Sequence, residues 1–355
     1  MATTKSTDIS QRTQVYAEAK MLAHAEPVLI LTKLGQTKPI PQNKSQVIKF
    51  RRPKPFAPAL TPLTEGVRPE SQKMVYEDVE CRLQQFGAWT EITDVIQDTH
   101  EDPVLSDMTM LSGEQAAETT ELATWGAISG GTNVIFANGS ATSQVNTALK
   151  LEHVRAAVRK LQRNRAKKKT NILDGSIKYG TKPIEAAYIA VCHTDLEADI
   201  RNLPGFTSVA EYGSRQPIVP QEFGTVENVR FITTPLLTPT ANAGAAATGK
   251  VLSTGGSNAD VYKIAIFGQE AYAVCPLKGK DAAQILVRNP GKAEKGDELG
   301  QTGSVGWKTW WAGKILNDAW LVRLEVAATA LYFETQALLV RAFFFYEETY
   351  VISIY

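Results

Sequence analysis

The 355-residue sequence has little cysteine and no cysteine pattern. Cys81, Cys192 and Cys275 are odd in number, far apart and in no CxxC spacing, which argues against a disulfide framework and against a zinc cluster. They read as small core residues of a protein made in a reducing compartment. Long hydrophobic runs are missing too. The richest, Leu338 to Tyr346, is short, contains Arg341 and falls below the roughly 20 apolar residues that cross a bilayer, so no membrane partner is expected. The Thr-, Ser- and Gln-rich start, Met1 to Gln14, has no apolar segment of the kind a secretory signal needs, and synthesis in a cytoplasm is expected. The length allows one large domain or two ordinary ones.

Catalytic signatures are also missing. There is no GxGxxG after a strand, no GxxxxGK[ST], no GxSxG elbow, no HExxH and no EF-hand loop. Cys192, His193 and Asp195 crowd together at a predicted strand end, the nearest approach to a constellation. In a strand Cys192 and His193 point to opposite faces, and a nucleophile and its base normally come from separate elements. The trio reads as a structural histidine at the head of a helix, with a hydrolase using His193 as the enzymatic alternative. His24, His100 and His153 have no ligand spacing, so no metal and no cofactor are expected.

What the sequence does have is segregated charge. The net charge is only +1, yet Glu26 to Glu65 encloses no acid while holding Lys33, Lys38, Lys44, Lys49, Arg51, Arg52 and Lys54. From Glu77 to Glu121 the sign reverses, with Glu91, Glu101, Asp102, Asp107 and Glu114 among the acids. A third block, Arg155, Arg159, Lys160, Arg163, Arg165 and Lys167 to Lys169, is basic again. Alternating blocks let copies of one molecule meet by complementary patches. The plainer reading, which starts ahead for any single block, is solvated faces paired within one subunit or not at all. The third block suits phosphate contact, and a nucleic-acid-binding module is the second alternative, weakened by the absence of interleaved aromatics.

Patterning supplies the elements. Residues 1–45 read as an arm with a short helical stretch and Pro27, Pro39 and Pro41. Two extended pieces, Val47 to Arg52 and another ending near Met74, flank a segment with Pro53, Pro55, Pro58, Pro62 and Pro69, which suits a stiff hairpin loop. Val75 to Ile96 reads as β. Asp102 before Pro103 is a predicted N-cap opening a long helix that Gly130 and Gly131 stop. Leu151, Val154, Ala157, Val158 and Leu161 set the apolar face of an amphipathic helix. Glu185 to Cys192 predicts a buried strand and Asp195 to Arg201 a short helix. Thr238 to Gly256 predicts a mobile loop, followed by strands at Val261 to Phe267 and Ala271 to Pro276. Lys278 to Gly303 reads as polar turns, and Val305 to Val326, with four tryptophans, as core strands.

Four long segments carry a resemblance. They are QRTQVYAEAKMLAHAEPVLILTKLGQTKPIPQNKSQVIKFRRPKPF at 11–56, EITDVIQDTHEDPVLSDMTMLSGEQA at 91–116, ILDGSIKYGTKPIEAAYIAVCHTDLEADIRNLPGF at 172–206 and GWKTWWAGKILNDAWLVRLEVA at 306–327. Together they resemble the major capsid proteins of tailed phages of the coliphage N-four type, a group with the Hong Kong 97-type shell fold. The resemblance implies an α+β subunit that performs no catalysis and builds an icosahedral head from pentamers and hexamers around double-stranded DNA. It implies an N-terminal arm (1–45), an extended loop (46–75), a peripheral domain (76–185) with a spine helix at 103–131, an axial domain (186–275) and a return at 276–331. Assembly would occur in the host cytoplasm and end in the virion, with portal, scaffolding or decoration proteins as further partners. The family pattern ends near VRLEVAATAL, whereas Tyr332 to Tyr355 continues with an aromatic tail that the resemblance leaves without a role.

Within that frame, Lys38, Lys44, Lys49, Arg51, Arg52 and Lys54 are expected to lie across a neighbour's acidic face, including Glu101, Asp102, Asp107 and Glu114. Arg155, Arg159, Lys160 and Arg163 are expected on a helix facing the genome.

Overall fold

In the computed structural model, residues 30–94, 104–169, 186–213, 217–247, 250–279, 283–291 and 297–331 are described. The helical pattern near Val15, the Asp102–Pro103 helix start, Glu101 and the tail 332–355 lie outside them. The chain divides into two units, each of which draws on separate stretches of sequence.

The first unit comprises residues 36–124 and 272–316 among those described. Its β1 (Gln36–Thr37) pairs in parallel with β11 (Tyr272–Val274), and β11 pairs antiparallel with β14 (Gly313–Ile315). Its main sheet is antiparallel, with β13 (Thr302–Trp311) between β4 (Gln84–Thr93) and β12 (Gln284–Arg288). Ile285, Trp307, Phe86 and Ala88 on that sheet pack with Ala116 of the long helix α2 (Val104–Ser129). Two indole N–H groups fix the contact: Trp307 Nε1 donates to Gln115 Oε1 and Trp311 Nε1 to Thr124 Oγ1, each at 2.9 Å. An indole inside a core needs such an acceptor. The described helix, Val104–Ser129, lies within the helix expected at 103–131, whose start is outside the described residues. Strand β12 was not foreseen; Gln284, Arg288 and the turns around it mask the short apolar run Ile285–Val287.

From the same unit a two-stranded hairpin extends, β2 (Val47–Pro53) against β3 (Tyr76–Arg82). The second strand begins after Met74 instead of ending there, so the hairpin runs to Arg82, beyond the expected limit at 75. The backbone ladder goes one bond further, Lys54 N–H to Val75 O at 2.8 Å, before prolines forbid more pairing.

The second unit comprises residues 30–35, 125–271 and 317–331 among those described. A seven-stranded mixed sheet runs β5 (Val134–Phe136), β15 (Leu321–Val326), β10 (Tyr262–Phe267), β6 (Tyr188–His193), β9 (Val229–Thr234), β8 (Glu222–Val226), β7 (Phe206–Ser208). Residues 188–192 are buried without alternation, as in strands covered on both faces. Helix α3 (Leu151–Arg163) lays Val154, Ala157, Val158 and Leu161 on this sheet beside Tyr188, Ala190, Ile264 and Leu324. Two shorter helices, α1 (Leu31–Leu34) and α4 (Glu197–Arg201), belong to the same unit.

Two expectations change here. Strand β15 pairs with β10 over six residues, from Tyr262 with Val326 to Phe267 with Leu321, so it and α3 join the sheet assigned to 186–275. Local hydrophobicity gives no signal of which sheet a strand enters. The loop 238–256, expected to be mobile, is tied down at two of its described residues: the buried Asp260 carboxylate accepts from Asn242 N–H, Thr254 N–H and Thr254 O–H. A Cβ on Gly244 would come within 2.2 Å of Val145 O, so at that position glycine serves close packing.

Candidate functional site

The hairpin carries half of the predicted basic set, and its register decides what those charges do. The string Lys49-Phe50-Arg51-Arg52 faces Glu80-Val79-Asp78-Glu77 residue for residue. Lys49 Nζ lies 2.7 Å from Glu80 Oε1, Arg51 binds both oxygens of Asp78 at 2.8 and 3.0 Å, and Arg52 holds Glu77 Oε2 at 2.8 Å. Opposite charges directly across an antiparallel pair favour the register. The Arg51 hydrogen bonds hold the Asp78 carboxyl below its ordinary range, and the Glu80 hydrogen bond raises the Lys49 ammonium. Arg51 also stands 5.5 Å over the Tyr76 ring. Lys49, Arg51 and Arg52 are thus neutralised inside their own subunit, the alternative left open from sequence. Lys38 stands over the Phe50 ring at 5.9 Å, and Lys44 and Lys54 are exposed without an ion pair among the described residues.

Beyond the ladder, residues 54–75 form no helix and no strand and are exposed throughout. Their apolar side chains are exposed too, Phe56 by 57%, Leu60 by 87%, Leu63 by 78% and Val67 by 63%. A spread of large apolar groups on one stiff projection marks an interaction surface. Sequence reasoning noted only the prolines there. The available signal was the interleaving of apolar residues at 56, 60, 63 and 67 within a segment unable to reach a core.

Of the acidic set, Asp107 is exposed and Glu114 half-buried on α2. On α3, Arg155 is already engaged, its guanidinium 2.6 Å from Glu227 Oε1. Arg159 and Arg163 are exposed and Lys160 half-buried, and none of the three makes an ion pair among the described residues. The helix therefore brings together three of its four nominated cations as open charge.

The thiol, imidazole and carboxylate do not form a catalytic set. Cys192 is wholly buried, turned to the Ile232 carbonyl at 3.6 Å, and burial pushes its thiol far above the range where a thiolate exists. His193 Nδ1 accepts the Asp195 N–H at 3.1 Å and so caps the one-turn helix that follows, while Tyr262 O–H holds Asp195 Oδ2 at 2.7 Å. A capping imidazole beside an inert thiol on the other strand face has nothing to activate. Among the described residues no three His, Cys, Asp or Glu side chains are grouped to hold a metal, and no helix is long and apolar enough to cross a membrane.

A family described as phage capsid protein matches residues 76–324, well over half of the chain. The chain belongs to the phage capsid protein family. It is a major capsid protein, a structural subunit of an icosahedral head, and its place is the virion. Solved shells share its mixed α and β fold. The capsid of Ralstonia phage GP4 aligns with a TM-score of 0.60 at 12% identity, covering 84% of this chain and 88% of that one. The capsid of cyanophage P-SCSP1u gives 0.54 at 13%, over 84% and 88%, and the mature capsid of bacteriophage PhiM1 gives 0.53 at 11%, over 84% and 86%. No curated protein matches the sequence.

Proposed function

We propose that this capsid protein assembles into pentamers and hexamers of a Hong Kong 97-type shell of the coliphage N-four kind, with the hairpin and its loop seated on a neighbouring copy. One observation supports this most: the apolar tip at Phe56, Leu60, Leu63 and Val67 stands in solvent in a single chain. Burying it on a second copy removes that apolar area from water, and repetition around a closed shell multiplies a weak contact. In this reading 1–45 is an arm, the remainder of the second unit is the axial domain, and the remainder of the first unit, with the 104–124 part of α2 as its spine, is the peripheral domain. Lys38, Lys44 and Lys54 are the cations left to meet Asp107, Glu114 and, outside the described residues, Glu101 and Asp102 on the neighbour. Arg159, Lys160 and Arg163 face the packaged double-stranded DNA as non-specific cargo, Arg155 being occupied by Glu227. Assembly takes place in the host cytoplasm with portal, scaffolding or decoration proteins, and no catalysis is involved.

The test is electron microscopy with light scattering on the full chain and on Leu60→Asp/Leu63→Asp. Closed particles from the parent and free subunits of unchanged circular dichroism from the variant are expected. Normal shells from the variant would refute the seating of the loop.

A further inference from the structure

Two buried thiols meet in the first unit. Cys81 is the penultimate residue of β3, opposite Ile48. Cys275 directly follows β11 and exchanges backbone hydrogen bonds with Ala312, at 2.8 and 3.2 Å. The two are 2% and 0% exposed and share one apolar cluster with Ile40, Leu83 and Ala273. Inside it each thiol acts on the other: the Cys275 neighbour holds the Cys81 thiol below its ordinary range against desolvation, with help from the Lys314 ammonium, and the Cys81 neighbour holds the Cys275 thiol well above it. The third cysteine, Cys192, lies in the second unit and faces the Ile232 carbonyl.

We propose that Cys81 and Cys275 are a latent intrachain disulfide, closed by a small-molecule disulfide of the oxidised glutathione class, which ties the base of the hairpin to β11. The chemistry is two exchanges. The Cys81 thiol loses its proton to solvent, its sulfur attacks one sulfur of the oxidant, and one glutathione thiolate leaves. The Cys275 thiol then loses its proton, attacks the Cys81 sulfur of the mixed disulfide and expels the second glutathione thiolate. Two thiols are oxidised and one small disulfide is reduced to two thiols. Cys81 is the residue to begin, because thiolate is the attacking form. Burial keeps the pair reduced until the base of the hairpin opens.

The consequence is mechanical. In the thiol form the base of the hairpin, closed by the backbone bond from Leu83 N–H to Gln46 O, is held to β11 by packing among Ile40, Leu83 and Ala273. In the disulfide form it is held covalently across a very long loop of sequence, the case in which a cross-link most restricts the unfolded chain. The timing alone rests on the shell reading: a head that leaves its host passes from reducing to oxidising surroundings.

The experiment refolds the full chain carrying Cys192→Ala from urea through glutathione redox buffers, then traps free thiols by alkylation and maps peptides by mass spectrometry. Circular dichroism confirms refolding, and a parallel series oxidises already folded chain in mild urea. The expected result is one link, Cys81 to Cys275, with an effective concentration about a hundredfold above that in fully unfolded chain. In the same background Cys81→Ser should leave only mixed glutathione adducts. An effective concentration at or below the unfolded value, or adducts on both cysteines of folded chain without a link, would overturn the proposal. Because the readout is a bond in a single chain, failure of shells to assemble leaves it standing, and failure of the bond leaves assembly standing.

Discussion

Replacing Glu222 by Gln should destabilise the seven-stranded sheet far more than the loss of one surface charge would. Glu222 on β8 and Arg230 on β9 have side chains 0% and 2% exposed, with Arg230 Nη1 3.0 Å from Glu222 Oε1. The same carboxylate accepts Tyr212 O–H at 2.8 Å and Ile218 N–H at 2.6 Å, and the guanidinium stands 5.7 Å over the Tyr212 ring. The Tyr212 phenol is pushed up, first by burial and then by its hydrogen bond to the carboxylate. Gln keeps one acceptor but removes the charge that Glu222 sets against the guanidinium and turns an amide N–H toward the Ile218 N–H. Breaking a buried pair from one side costs about 3–5 kcal/mol. Glu222→Gln combined with Arg230→Met removes both charges, and the double variant should lose about 2 kcal/mol less than the sum of the two single changes. Hydrogen exchange of the β8 and β9 amides in the full chain reads the loss locally, which matters because a chain of two units need not unfold in one step. Additivity of the single changes within about 0.5 kcal/mol would refute the reasoning.

Four further outcomes follow from the geometry. Gly244→Ala should cost about 1–3 kcal/mol, because its Cβ meets Val145 O at 2.2 Å and Ala259 O at 2.9 Å, and a lowered thermal midpoint of the full chain checks it. Lys169, whose ammonium donates to Leu34 O, is lowered by burial to about 8 from 10.5. The folded chain then binds fewer protons than the unfolded chain between those values, so stability rises with pH across that window. Lys169→Met should stabilise by up to about 3 kcal/mol at pH 7 and by little near pH 10, and an equal gain at both would sink the idea. Arg51→Asp alone should disorder the hairpin and lower shell yield, while Arg51→Asp with Asp78→Arg should restore both, read by particle counts in micrographs. The Arg51–Asp78 pair should persist as acid is added until the pH falls through the depressed Asp78 value, below the ordinary 3.8, as NMR of its carboxyl carbon would show.

Much of this molecule was legible because its strongest signals are local. The face of α3 follows from spacing alone, and the buried strand β6 from a run too apolar and too short for anything else. The described part of the long helix, Val104–Ser129, was legible for the same reason, a helical pattern running up to two glycines. What was not legible is pairing at a distance. Nothing near residue 321 says that β15 will lie beside β10, and nothing in QILVR, set among polar turns, outweighs its surroundings until Trp307 lies opposite Ile285. Glycine in the 238–256 loop misled for a related reason. Composition cannot separate a glycine that frees the backbone from one that lets two backbones touch.

The charge blocks show the same limit acting on function. Read as sums over a stretch, the basic 33–54 block and the acidic 77–121 block are two surfaces that attract, and attraction between copies is the natural inference. Read in register, the core of each block is the other's partner in one hairpin, Lys49 with Glu80, Arg51 with Asp78 and Arg52 with Glu77. Pairing in this way keeps a narrow two-stranded projection straight in water, where a hairpin alone is marginal. It also discharges the stem, so that the exposed apolar groups Phe56, Leu60, Leu63 and Val67 stand at the end of a self-neutralised ladder. In the proposed seating on a neighbouring copy, a stem that neutralises itself would leave the apolar groups of the loop to make the contact without ion pairs having to break first. This makes reversal of Lys49, Arg51 and Arg52 a poor probe of contact between copies, since it would collapse the stem before any neighbour was tested. Changes at Leu60 and Leu63 leave the stem intact and ask about the contact alone.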